Sequence, residues 1–123
     1  MPADILAADD DEDIREMIRL SLREEFEVKT VENGEKAWEY LAAYSDSPPK
    51  AVILDVMMPE ADGFSVLDRI REHGKTQEIA VIMLTSRSRE EDIVRALEAG
   101  ADDFLAKPFN KSELAGRVQQ TLE

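Results

Sequence analysis

The chain contains no cysteine, which excludes disulfides, thiolate metal sites and a cysteine nucleophile. Histidine is almost as scarce: His73 stands alone, so no site can be built from several imidazoles. No apolar run approaches the roughly 20 residues needed to cross a bilayer; the longest, Ile79 to Leu84, has the length of a strand. The sequence begins Met-Pro-Ala-Asp and passes at once into Ile5-Leu6-Ala7-Ala8. It has no basic segment or extended apolar stretch there, so no signal peptide is expected and the expected location is cytoplasmic, away from membranes. Positive charge is short as well, with 15 Lys and Arg against 28 Asp and Glu and a formal charge of −13. A field of that sign repels phosphate backbones, and direct binding of nucleic acid is not expected. A solvated acidic surface, or adaptation to high salt with lysine scarcer than arginine, would each explain the excess acid. A third explanation is that some carboxylates are gathered to hold a divalent cation.

What is present fits one compact domain over residues 1–123. The length suits a single core, and 43% hydrophobic residues are enough to fill it. Neither repeats nor a long linker divides the chain. Asp4–Ala8 is a short apolar run, and Glu12–Glu24 places Ile14, Met17, Ile18 and Leu22 at helical spacing. Phe26–Val31 alternates as an edge-proximal strand does. Asn33-Gly34 breaks the pattern before a helical stretch over Glu35–Tyr44, and Ser45–Pro49 reads as a loop. Ala51–Leu54 and Ile79–Leu84 are continuous apolar strands. Phe64–His73 and Ser88–Glu98 are helices closed by Gly74 and Gly100, and Ser88 with Glu91 fits a capping box. Asp103–Ala106 and Ser112–Leu122 complete the series. Five βα units in succession require a parallel sheet with helices on both faces. The fold class is therefore α/β: a flavodoxin-like, doubly wound five-stranded parallel sheet in the order 2-1-3-4-5 with five helices.

In such sheets the crevice lies at the carboxyl ends of the strands. The first strand ends in Asp9-Asp10, the third in Asp55, the fourth in Thr85-Ser86 and the fifth in Lys107-Pro108. The first and third strands are neighbours in this order, so Asp9, Asp10 and Asp55 should converge. Crowded carboxylates repel, and a hard cation such as Mg2+ holds them ionised together while reaching phosphate oxygens. A lysine and a hydroxyl at the same place supply a point charge and a donor for a phosphoryl oxygen. A carboxylate in that pocket can act as a nucleophile toward phosphorus. Asp11, Glu12 and Asp13 are read as acids favoured at a helix start rather than as further ligands. His73 and Trp38 are read as structural.

Five segments carry a resemblance in order along the chain: Ile5-Leu6-Ala7-Ala8-Asp9-Asp10, Leu54-Asp55-Val56-Met57-Met58-Pro59, Asp62-Gly63, Leu84-Thr85-Ser86, and Ala99 through Phe109 with Lys107-Pro108. Together they resemble the receiver domain of two-component response regulators, of the chemotaxis-regulator kind, over essentially the whole chain. The resemblance implies that Asp55 is the phosphoacceptor and that Asp9, Asp10, Asp55 and the Met57 main-chain carbonyl hold Mg2+, with Mn2+ as a substitute. It implies that Lys107 pairs with the phosphoryl group after a cis bond to Pro108, and that Thr85 and Phe104 form the switch. It further implies a signalling switch rather than an enzyme, catalysing only its own phosphorylation and dephosphorylation. The partners would be a sensor histidine kinase or histidine phosphotransfer protein, and an output domain or protein reached through helix four, strand five and helix five.

The family's hydrolysis rate is tuned two residues after the phosphoacceptor and two after the threonine, here Met57 and Arg87. Neither orients water well, so a phosphoryl half-life longer than seconds is expected without a partner phosphatase. Of the charged residues through which some receivers dimerise, Asp103, Glu113 and Arg117 are present, but Ile93 stands where a base is expected. A monomer or weak homodimer follows. A metal-dependent phosphohydrolase is the rival enzyme reading, but Met57 occupies the position of its usual second acid. A phosphate-independent interaction module is the rival binding reading, against which all five site positions are intact. Flavin or nucleotide binding lacks a Gly-rich loop after the first strand.

Overall fold

Strand and helix alternate without exception through a computed structural model that describes residues 3–58, 62–85 and 90–123. The order is β1 (Ile5–Ala8), α1 (Glu12–Leu22), β2 (Val28–Val31), α2 (Gly34–Ala43), β3 (Ala51–Asp55), α3 (Gly63–Glu72), β4 (Ala80–Thr85), α4 (Glu90–Glu98), β5 (Asp103–Ala106) and α5 (Lys111–Leu122). All strands are parallel, in the order β2-β1-β3-β4-β5. β1 and β3 are buried along their whole length. This is why they read as unbroken apolar runs rather than alternating ones.

Alternate strand residues feed two cores. Leu6, Val52, Leu54, Val81 and Met83 meet Leu41 of α2, Phe64, Leu67 and Ile70 of α3, and Ala96 of α4. On the other face Ile5, Ile53, Ile82 and Leu84 meet Ile18 and Leu22 of α1 and Leu114 and Val118 of α5. Each of the larger side chains contributes about 1.5–3 kcal/mol by leaving water. Strand β2 is two residues shorter than its alternation suggests. Phe26 belongs instead to the turn that follows α1, with its amide bonded to the Leu22 carbonyl. Asn33, read in the sequence as a break, is the N-cap of α2, its side chain accepting from the Lys36 amide. Asp11, Asp62 and Asn110 cap α1, α3 and α5 in the same way, the last as a capping box with Glu113. The expected cap at Ser88 lies outside the described residues. Gly100 follows α4 at φ +103°, in the left-handed region. Its amide and that of Ala101 return to Leu97 and Ala96, closing the helix. Among the described residues no helix is long and apolar enough to cross a membrane.

Candidate functional site

Register places the chemistry. Ala8 pairs with Leu54, so the residues that follow, Asp9 and Asp55, emerge side by side from β1 and β3. Thr85 pairs with Ala106, so Lys107 emerges beside the end of β4, and its amide donates to the Thr85 carbonyl at 2.7 Å. Carboxylate oxygens of Asp9, Asp10 and Asp55 lie within 4.8 Å of one another. The Lys107 Nζ stands 2.7 Å from Asp9 Oδ2 and 3.3 Å from Asp55 Oδ2. Asp9, Asp55 and Thr85 are buried, whereas Asp10 is exposed at the mouth. The Lys107–Pro108 peptide is cis, as the resemblance implied.

Burial pushes the Asp55 carboxyl up to about 6; neighbouring Asp9 adds to the rise and Lys107 opposes it. Burial acts against the charge on Lys107, but Asp9 and Asp55 outweigh it and hold the ammonium above the usual lysine value. Asp9 Oδ1 accepts from the Asp11 amide at 2.9 Å. Asp9 Oδ2, though touched by the ammonium, is buried without an aligned hydrogen bond. Three carboxylates against one ammonium, with one oxygen unsatisfied, form an all-oxygen donor set that suits a hard divalent cation such as Mg2+ or Mn2+.

The other expected residues lie nearby in different settings. Met57 follows Asp55, its amide donating a long 3.4 Å bond to Asp55 Oδ1 and its side chain exposed. Phe104 sits on β5, three residues before Lys107 and outside the carboxylate cluster. It is half-buried against the α2–α3–α4 core and lines a groove of about 460 Å³ with Ile93, Leu97 and Pro108. Pro59, Ser86 and Arg87 lie outside the described residues. Of the dimer set, Arg117 bonds Asp103 at 2.8 Å within the chain, and Glu113 accepts from the Asn110 amide in the α5 cap. Trp38 and His73 meet edge to face at 5.5 Å between α2 and the end of α3, consistent with a structural reading.

Two contributors escaped the sequence reading. Gly63, present in the sequence only as part of the Asp62-Gly63 segment of the resemblance, has a steric role: it is the first residue of α3 and lies against the Asp55 backbone, where a Cβ would stand 2.4 Å from the Asp55 carbonyl oxygen. Arg15 of α1 donates from Nη1 to the Asp9 carbonyl at 2.8 Å. In the sequence Arg15 is only a base in the first turn of a helix that follows three acids; its half-burial belongs to the structure.

Comparison with known proteins gives a consistent result. The family model of the response regulator receiver domain matches residues 5–119. The transcriptional regulatory protein GltR of Pseudomonas aeruginosa is 42% identical over 119 residues, covering 96% of this chain and 48% of its own length. A BeF3-activated DrrB receiver domain superposes with a TM-score of 0.86 at 34% identity, covering 99% of this chain and 98% of that one. The chemotaxis protein CheY4 of Vibrio cholerae gives 0.86 at 31% identity, covering 99% and 100%. The chain spans about half the length of most of the curated relatives it matches.

Proposed function

The chain belongs to the response regulator receiver domain family, and on that premise we propose that Asp55 is the phosphoacceptor of a Mg2+-dependent two-component switch. The observation that carries the reading is the meeting of Asp9, Asp10 and Asp55 within 4.8 Å, with Lys107 against two of them. In the forward step an Asp55 carboxylate oxygen forms a bond to phosphorus as the phosphorus–nitrogen bond of a phosphohistidine breaks. The electron pair leaves with the imidazole, which takes a proton. Asp9, Asp10, Asp55 and the Met57 main-chain carbonyl would hold Mg2+, or Mn2+ in its place, which would supply charge neutralisation for phosphoryl oxygens. Lys107 neutralises a further oxygen, and Thr85, one strand away, donates to another. With its proton lost near pH 6, Asp55 is ionised and nucleophilic at neutral pH.

Residues 1–123 act as one receiver unit in the cytoplasm, taking phosphate from a histidine kinase or histidine phosphotransfer protein. Movement of Thr85 toward the phosphoryl group draws Phe104 inward and alters the α4–β5–α5 face. An attached output domain or a separate partner reads that face, while the chain itself leaves nucleic acid alone and is monomeric or weakly dimeric. Intact mass after incubation with acetyl phosphate and Mg2+ tests the reading. A single phosphoryl adduct that requires the metal and is absent from Asp55→Asn is the expected result. No adduct despite bound Mg2+ would overturn it in favour of a phosphate-independent interaction module.

A further inference from the structure

Asp9 and Asp10 are adjacent in sequence but are held very differently. Every polar group of Asp9 has a fixed neighbour. Its amide donates to the Val31 carbonyl at 3.2 Å, its carbonyl accepts from Arg15 Nη1 at 2.8 Å, Oδ1 accepts from the Asp11 amide, and Oδ2 touches Lys107. Asp10 has no such support: its side chain is exposed and, among the described residues, makes no hydrogen bond or ion pair. Its direction is set by the backbone, chiefly by the Asp9–Asp10 peptide plane. The carbonyl of that plane is the group Arg15 holds.

We propose that Arg15 is a positioning residue for the cation site: by fixing the Asp9–Asp10 peptide plane it keeps the Asp10 carboxylate turned toward Asp55. The inference rests on the cation-binding reading of the cluster and goes beyond it by assigning a residue that touches neither the cation nor a carboxylate. The base belongs to α1, whose own amide at Arg15 bonds the Asp11 carbonyl, so the side chain is anchored to the helix that Asp11 caps. Helix start, peptide plane and carboxylate are thereby linked in one short path. A guanidinium suits the task because its several donors lie in a rigid plane, so an aligned bond to a carbonyl restrains orientation as well as distance.

The charge of the guanidinium makes the opposite prediction. A cation this close to the cluster repels Mg2+, so if charge were all that mattered, removing it would tighten metal binding. Calorimetric titration of Mg2+ into the chelator-treated protein separates the two for the parent, Arg15→Met and Arg15→Lys. Partners that orient ligands from outside the coordination sphere carry about 10–100-fold in metal affinity. Arg15 acts one peptide removed, so Arg15→Met should weaken Mg2+ about tenfold, and Arg15→Lys, which can still donate to the carbonyl, should recover most of it. The phosphorylation rate at saturating Mg2+ should change far less than the rate at limiting Mg2+. In Arg15→Met that has an unchanged thermal midpoint without metal, unchanged or tighter binding would overturn the proposal. A loss in Arg15→Met that Arg15→Lys largely recovers would support it, and an equal loss in both would overturn it. A parent that does not bind Mg2+ would instead overturn the cation-site reading itself.

Discussion

An unfolded aspartate loses its proton near pH 3.8, whereas the Asp55 carboxyl in the folded chain holds its proton to about 6. Between those values the native state keeps a proton that the unfolded chain has released. Stability contributed by this group is therefore complete below pH 4 and falls as pH rises to 6. Asp55→Asn never ionises and escapes the loss. In chelator the variant should be more stable than the parent at pH 7 by on the order of 1–3 kcal/mol. The two should converge toward pH 4. Urea denaturation at pH 4, 5, 6 and 7 checks this, and a gap that does not widen with pH would refute it. Gly63 acts on the same residue through the backbone. A methyl group there would stand 2.4 Å from the Asp55 carbonyl oxygen and 2.9 Å from Met83 Cε; the methionine end can move, but the buried strand cannot. Gly63→Ala should cost about 1–3 kcal/mol by overpacking and slow phosphorylation by acetyl phosphate. Normal stability together with a normal rate would show that α3 shifts freely.

Arg71 joins helices and strands by hydrogen bonds in addition to the cores. From the last turn of α3 its Nε donates to Gly100 O at 2.8 Å, and its Nη1 donates to Gln77 O at 2.9 Å and Ile79 O at 2.6 Å. Its Nη2 bonds Asp102 Oδ2 at 3.0 Å, the same oxygen that accepts the first backbone amide after Ala80, that of Val81. One guanidinium thus ties α3, the approach to β4 and the α4–β5 turn. Arg71→Met should leave these carbonyls unbonded and cost about 2–3 kcal/mol in urea denaturation. Arg71→Lys should recover less than half, since an ammonium cannot reproduce the planar fork. Equal stability of Arg71→Lys and the parent would mean that charge alone suffices.

Ties of that kind are not visible in the sequence. Strand order and the meeting of Asp9, Asp55 and Lys107 were legible because parallel pairing brings strand ends level, and each end carried its own residue. Side-chain bonds to carbonyls, such as those of Arg15 and Arg71, leave no periodic trace. The α2 helix starts at Gly34, one residue before the stretch its pattern marks, since Asn33-Gly34 suits a turn and a helix cap equally well. The capping box of α5 at Asn110 carries no clear sequence mark because Lys-Pro-Phe before it has the character of a loop.

Across the whole molecule, 28 acids against 15 bases leave a charge of −13 on 123 residues. Surface ion pairs such as Lys75–Asp46 and Arg117–Asp103 use some of the bases, and each exposed pair contributes about 0–1 kcal/mol. The unmatched acids repel one another over distances that salt screens, with a Debye length of about 10 Å at 0.1 M falling to about 3 Å at 1 M. Because repulsions outnumber pairs, added NaCl should raise the thermal midpoint of the metal-free protein, by on the order of 5 °C between low and molar salt. A midpoint that falls with salt would mean that the ion pairs outweigh the excess charge. Mg2+ should act differently, at millimolar concentration and through one site. By mass action a hundredfold excess over Kd adds about 2.7 kcal/mol of stability. Asp10→Asn should remove much of that millimolar response while leaving the NaCl response in place, since it deletes one ligand but only one of the excess charges. If both responses were lost together, Mg2+ would be acting as a diffuse counterion and the carboxylate cluster would not be a cation site.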